Sequence, residues 1–197
     1  GSDSLIKEHL DQVIRGNWTA AAKAARAMCV EAMARKAVVL ALSDRADNGE
    51  GGGVLVVLDN QAELEDMKRA ILNTMLTVTP FHVLCKVGER TADTTDNTAY
   101  GILLVTKNDV TGYNMQRMGY IVTGVYGSSA AKRHQLRGRI RRVGQKRSKV
   151  EYWTCVPEST ILELLFKRHN SVDQKNESLQ DLAQEFLSNQ AGSGSDE

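Results

Sequence analysis

The 197 residues carry 25 lysines and arginines against 24 acids, for a net charge of +1, with 42% apolar and 25% charged residues. That balance argues against a protein that coats nucleic acid over its whole surface and describes an ordinary globular chain of one domain with extensions. No apolar run approaches the roughly 18 residues of a membrane span. Cys29, Cys85 and Cys155 stand apart without a C-x-x-C pair, so neither a disulfide framework nor a zinc site is expected, and a reducing, intracellular setting (nucleus or cytoplasm) is.

Residues 3–42 read as a helical N-terminal segment. Leu5, Ile6, Leu10, Val13 and Ile14 recur at helical spacing, alanine is dense from Ala20 to Ala41, and Asn17 could cap a second helix starting near Trp18. SDRADNGEGGG (43–53) offers polar residues and glycine and reads as a loop. The main domain is expected over 54–170. VLVVLDN (54–60) is a short apolar, β-branched run, predicted as a buried strand. AELEDMKRAILNTML (62–76) places Leu64, Met67, Ile71 and Met75 on one side of a helix. FHVLCKV (81–87), GILLVT (101–106), YIVTGVY (120–126) and KVEYWTCV (149–156) read as further strands, with a polar loop over 88–100. SSAAKRHQLRGRIRR (128–142) is predicted as a helix stopped near Gly144, and ESTILELLFKRH (158–169) as another. A C-terminal helix is expected within 171–190 and a disordered tail over 191–197. Strands alternating with helices imply an α/β fold, a mostly parallel sheet with helices on both faces. In such sheets ligands gather at the carboxyl ends of the strands.

The charge is unevenly spread. From Lys132 to Lys149 there are nine lysines or arginines and no acid, whereas Asp173 to Glu197 leans acidic. The basic run therefore marks a local site. At about 100° per residue, Gln135, Gly138, Arg139 and Arg142 share one stripe of the predicted helix. Leu136, Ile140 and Val143 form a second, expected to pack on the sheet. Arg133, Arg137 and Arg141 form a third, facing solvent or nucleic acid. Gly138, beside Arg139 and Arg142, would let a backbone or ligand come close.

The spacing Gln135-Leu-Arg-Gly138-Arg139-Ile-Arg-Arg142 resembles motif VI of superfamily-2 helicases and translocases, Q-x-x-G-R-x-x-R. The continuation Val143-Gly144-Gln145-Lys146 is similar to the Swi/Snf-type branch. LLVTKNDVTGYNM (103–115) resembles motif V of that branch, with Thr106, Lys107, Gly112 and Asn114 in register, and VLVVLDN resembles the strand of motif IV. Asn108-Asp109-Val110 replaces the usual Ala-Gly-Gly, and Tyr126-Gly127-Ser128-Ser129 replaces a common Trp-Asn-Pro stretch. Only twelve residues separate Gly88 from Gly101, a compactness found in some virus-encoded members.

The resemblance implies a RecA-like C-terminal lobe of a two-lobed motor that binds ATP between its lobes. It makes Arg142 the leading arginine finger and Arg139 the second phosphate contact, with Gln135 organising the same stripe. Gly112, Asn114 and Gly138 would lie near the nucleotide. Thr106 and Lys107 would hold a backbone phosphate, joined by Arg137 and Arg141. The implied partners are nucleic acid, with double-stranded DNA foremost, and the N-terminal RecA-like lobe of the same polypeptide. ATP and Mg2+ would be held mainly by that other lobe, because this chain has no G-x-x-x-x-G-K-[ST] loop and no acidic box after a strand. Alone, the chain is expected not to hydrolyse ATP. It is expected to hold no metal of its own, since its four histidines lack ligand spacing. The alternative is a RecA-like nucleic-acid-binding or interaction module without catalysis.

Overall fold

A computed structural model describes residues 15–48, 53–77, 87–89, 101–108, 115, 117–125, 130–141, 143–170 and 179–193. Among them are helices α1 (Trp18–Ala27), α2 (Val30–Asn48), α3 (Gln61–Thr77), α4 (Ala130–Ile140), α5 (Ile161–His169) and α6 (Leu179–Ser193). The strands are β1 (Gly53–Leu58), β2 (Val87–Glu89), β3 (Ile102–Thr106), β4 (Met118–Gly124) and β5 (Glu151–Cys155). The chain divides into two compact units, one of residues 30–124 and 134–155, the other of residues 1–29, 125–133 and 156–197.

The first unit is a sheet of order β2-β3-β1-β4-β5, and every pairing is parallel. β1 sits at its centre, and each of its six residues is buried. This is why the sequence there is continuously apolar rather than alternating: a central parallel strand is covered on both faces. Two cation–π contacts establish that cover. The Lys36 ammonium of α2 lies 3.4 Å from the centre of the Trp153 ring, and the Arg137 guanidinium of α4 lies 4.4 Å from that of Tyr152. Successive side chains of β5 point to opposite faces, so α2 and α4 flank the sheet on opposite sides. The periodic face of α3 is buried as expected, through Leu64, Met67, Ile71 and Met75. Each such side chain contributes about 1.5–3 kcal/mol when fully removed from water. The Asn60 side chain accepts the Glu63 N–H at 3.0 Å and starts α3.

Three expectations change. The stretch read as a loop from residue 43 is helical to Asn48, because α2 buries Leu40, Ala41 and Asp44 there. A polar sequence concealed an anchored helix end. α6 runs to Ser193, into the stretch read as a tail. Asn17 stands at the start of α1 without a side-chain cap; its carbonyl accepts the Ala21 N–H instead. The strand expected over 81–87 falls outside the described residues except at Val87, where β2 begins.

In the second unit, α1, α5 and α6 share a core of Ala21, Ala22, Ala25, Ile161, Leu162, Leu165, Leu179, Leu182 and Ala183. Alanines on α1 permit close helix approach. Thr160 caps α5 by accepting the Glu163 N–H, and Arg168 pairs bidentately with Glu185 of α6 at 2.6 and 3.1 Å. The Ser159 backbone N–H, then Lys167, hold the Glu163 carboxyl below its usual range, and Arg168 does the same for Glu185. A depressed carboxylate contributes stability that is complete above its unfolded-state pKa and is lost as pH falls through the folded value. Helix content followed by circular dichroism should therefore melt at progressively lower temperature below about pH 5. Glu163→Gln should lower the neutral-pH melting temperature and make the acid decline shallower.

Candidate functional site

Two groups among the described residues singled out by sequence, Thr106 with Lys107 and the last turn of α4 with Arg139, fall at opposite ends of the parallel sheet. Thr106 closes β3 at its carboxyl end and is buried there. It pairs in register with Leu58, the last residue of β1. The Lys107 N–H donates to the Leu58 carbonyl at 2.8 Å, which extends the ladder one step. Its ammonium meets Asp59 Oδ1 at 2.7 Å. Lys107 is thus held at the strand ends by a carboxylate the sequence reading left unused, with about a third of its side chain exposed.

The basic helix lies elsewhere. α4 returns antiparallel to the strands, so its last turn reaches the amino end of β4. There the Met115 N–H donates to the Arg139 carbonyl at 3.0 Å. Gln145 Nε2 donates to the carbonyls of Ile140 (3.0 Å) and Met118 (2.9 Å), and its Oε1 accepts the Arg147 N–H at 3.1 Å. Arg139 and Ile140 of motif VI therefore lie at the amino ends of the strands, against the expectation that ligand-binding residues collect at the carboxyl ends. The crossover is the cause: a helix leaving the top of β4 must come back to the bottom of β5. Arg139 and Thr106 are separated by about a strand length, roughly 15 Å.

Leu136 and Ile140 are buried as the second stripe requires, but Val143 is 98% exposed. The helix ends at Ile140, and the chain turns at Gly144 with φ +97, a conformation glycine adopts without cost. Val143 thus has no place in the helical stripe. Gln135, Gly138 and Arg141 are exposed and Arg139 is half-buried. Arg137, read as facing solvent or nucleic acid, stacks on Tyr152 of β5. Arg142, Gly112 and Asn114 lie outside the described residues.

One constellation was not anticipated. Asp44, 1% exposed near the end of α2, receives the Arg147 guanidinium through Nε at 3.1 Å and Nη2 at 2.8 Å to both of its oxygens. Asn48 Nδ2 adds a bond to Oδ1 at 3.0 Å, and Arg147 Nη1 donates to the Arg117 carbonyl. A Cβ built on Gly119 would come within 2.4 Å of Arg147 Nε, so the glycine is what lets the guanidinium cross β4. Burial and then the Asp44 charge push the neighbouring Tyr120 phenol up. The sequence signal was one of three acids in an apparent loop, 103 residues from its partner.

The chemistry available at the two ends differs. The amino end offers guanidinium groups on a backbone fixed by side-chain bonds, suited to a terminal phosphate. Among the described residues no group of three or more histidines, cysteines or acids could hold a metal ion. Guanidinium donors of this kind can hold an oxyanion such as a phosphate. No helix among the described residues is long and apolar enough to cross a membrane.

No protein-family model matches the chain, and no curated protein matches it. Solved structures do. The C-terminal part of the Fun30 ATPase domain aligns at a TM-score of 0.51 with 15% identity, over 75% of this chain and 50% of that one. T4 UvsW aligns at 0.45 with 13% identity, over 83% of this chain and 32% of the other. The fold is RecA-like. The chain spans half the length of the Fun30 structure and about a third of T4 UvsW.

Proposed function

We propose that this RecA-like chain is the C-terminal motor lobe of an ATP-dependent nucleic-acid translocase or helicase, with double-stranded DNA as its track. The observation that carries the reading is the Q-x-x-G-R-x-x-R series, whose Gln135, Gly138 and Arg139 lie on α4 with its final turn bonded to the amino end of β4, while Thr106 and Lys107 occupy the opposite end. The motor reading needs two such groups. One stabilises charge on a transferring phosphoryl group from which water is excluded, and the other holds a polymer phosphate. Arg142 is the finger, Arg139 the second cation and Gln135 the organiser of the stripe. Gly112, Asn114 and Gly138 lie at the nucleotide. Lys107 and Thr106 grip the backbone, with Arg141 and Arg137 beyond. The N-terminal lobe of the same polypeptide brings the phosphate loop and Mg2+, so hydrolysis belongs to the two-lobed protein.

Gly138 supports this reading. Among the described residues no atom lies within 4 Å of the Cβ it lacks, so their packing does not demand a glycine there. In an exposed helix interior glycine costs about 1 kcal/mol relative to alanine. A surface closing on α4 from the other lobe would account for a glycine at this position. Gly138→Ala should therefore raise stability by about 1 kcal/mol in urea titration and yet reduce nucleic-acid-stimulated ATP turnover in the two-lobed protein. Unchanged turnover would remove this support.

The direct test is ATP hydrolysis by the two-lobed polypeptide with duplex DNA, single-stranded DNA or RNA added. Stimulation by duplex DNA that weakens steeply with salt, as phosphate contacts require, is the expected result. Absence of hydrolysis with every polymer would leave an interaction module without catalysis.

A further inference from the structure

The helix α4 holds the start of the turn that ends motif VI through the Arg141 N–H, which donates to the Arg137 carbonyl at 3.2 Å. α4 stops at Ile140, Gly144 reverses the chain, and Val143 is almost wholly exposed, so among the described residues between Ile140 and Gln145 apolar packing supplies no anchor. Two side chains beyond the turn also hold it. Gln145 bridges the Ile140 and Met118 carbonyls, and Arg147 reaches across Gly119 to Asp44 and the Arg117 carbonyl. The ion pair is largely withdrawn from water, with the Asp44 side chain 2% and the Arg147 side chain 14% exposed. All three guanidinium nitrogens are used, and the carboxylate accepts from both Arg147 and Asn48. A buried ion pair is a poor way to gain stability, since apolar residues of similar volume serve as well or better. It is a good way to fix an angle, because a bidentate fork tolerates little rotation.

We propose that Asp44 and Arg147 are positioning residues for the phosphate-facing arginines, and that the end of α2 thereby fixes the turn after α4 on which Arg139 and the close of motif VI depend. This inference rests on the motor-lobe reading for its consequence in turnover, but not for the mechanical link itself. Gly119 belongs to the same device, as the residue that opens the path of the guanidinium. Neither side chain touches nucleotide; both act through the backbone of 139–147.

The test uses the double variant Asp44→Leu with Arg147→Met, which removes both charges together and so leaves no buried charge alone. Asp44→Asn is the second variant, retaining shape and losing the charge. Amide hydrogen exchange of the 197-residue chain reads the link directly. Exchange over 139–147 should accelerate about tenfold or more while β1, β3 and α3 keep their protection, because local opening is separable from global unfolding. In the two-lobed protein the same variants should lose about a hundredfold in ATP turnover with KM for ATP nearly unchanged. If 139–147 stays protected in the folded double variant, or if β1 and β3 loosen equally, the pair merely supports the core and the proposal is overturned. If exchange accelerates but turnover holds, the positioning role is overturned. An Arg142→Ala control separates the two ideas: normal turnover in that variant would sink the motor-lobe reading while leaving the exchange result to judge the link.

Discussion

Asp44→Ala should cost about 3–5 kcal/mol of unfolding free energy, the penalty for leaving one member of a buried ion pair alone. The expectation follows from what Arg147 would face. Its guanidinium lies under Gly119 with three nitrogens committed, and only the Arg117 carbonyl would remain to it after the carboxylate is gone. The arginine would either stay and strain the amino end of β4 or swing into solvent and leave a void beside Tyr120. Urea unfolding followed by Trp153 fluorescence reports on this unit, because Trp153 sits on β5 beside Lys36 of α2. The contrast with the double apolar variant is informative. The single change should be far more damaging than the pair of changes, the reverse of additivity, since partners in one network couple strongly. A loss below about 1 kcal/mol for Asp44→Ala would mean that the pair is solvated in solution like a surface pair.

The fold was legible where local pattern and tertiary role agree. β1 reads as a buried central strand because its five consecutive branched or leucine residues suit two covered faces, and α3 reads correctly because its four apolar residues recur at helical spacing. Motif VI was legible as a spacing, and the stripe of Leu136 and Ile140 followed from it. Other features depended on distant chain. Nothing local tells that SDRADN continues a helix, because the side chain that anchors it belongs to residue 147. Nothing local tells that Lys107 meets Asp59, or that Arg137 lies on Tyr152; each is a product of strand order. Val143 was misplaced because helical projection was carried past Ile140, where the chain turns at Gly144. The end of the sheet at which the arginines lie is likewise a consequence of topology, since α4 must descend from β4 to reach β5.

The second large effect is expected at Arg142. In the motor reading this side chain neutralises charge that develops on the γ-phosphoryl group, and such arginines are worth about 10³–10⁵ in turnover. Lysine should not replace it, because a point charge lacks the planar fork. Arg139→Ala should cost less, since in the motor reading Arg139 is the second contact and not the finger. Each variant needs a matched unfolding curve, so that lost turnover is not lost structure.

The measurement that bears most directly on the central claim is ATP turnover by the two-lobed polypeptide with duplex DNA present, wild type beside Arg142→Ala. The expected result is a loss of about a thousandfold or more in turnover at unchanged melting temperature. Turnover at the wild-type rate in the folded variant would contradict it, and with it the assignment of the motif VI arginines to the phosphate.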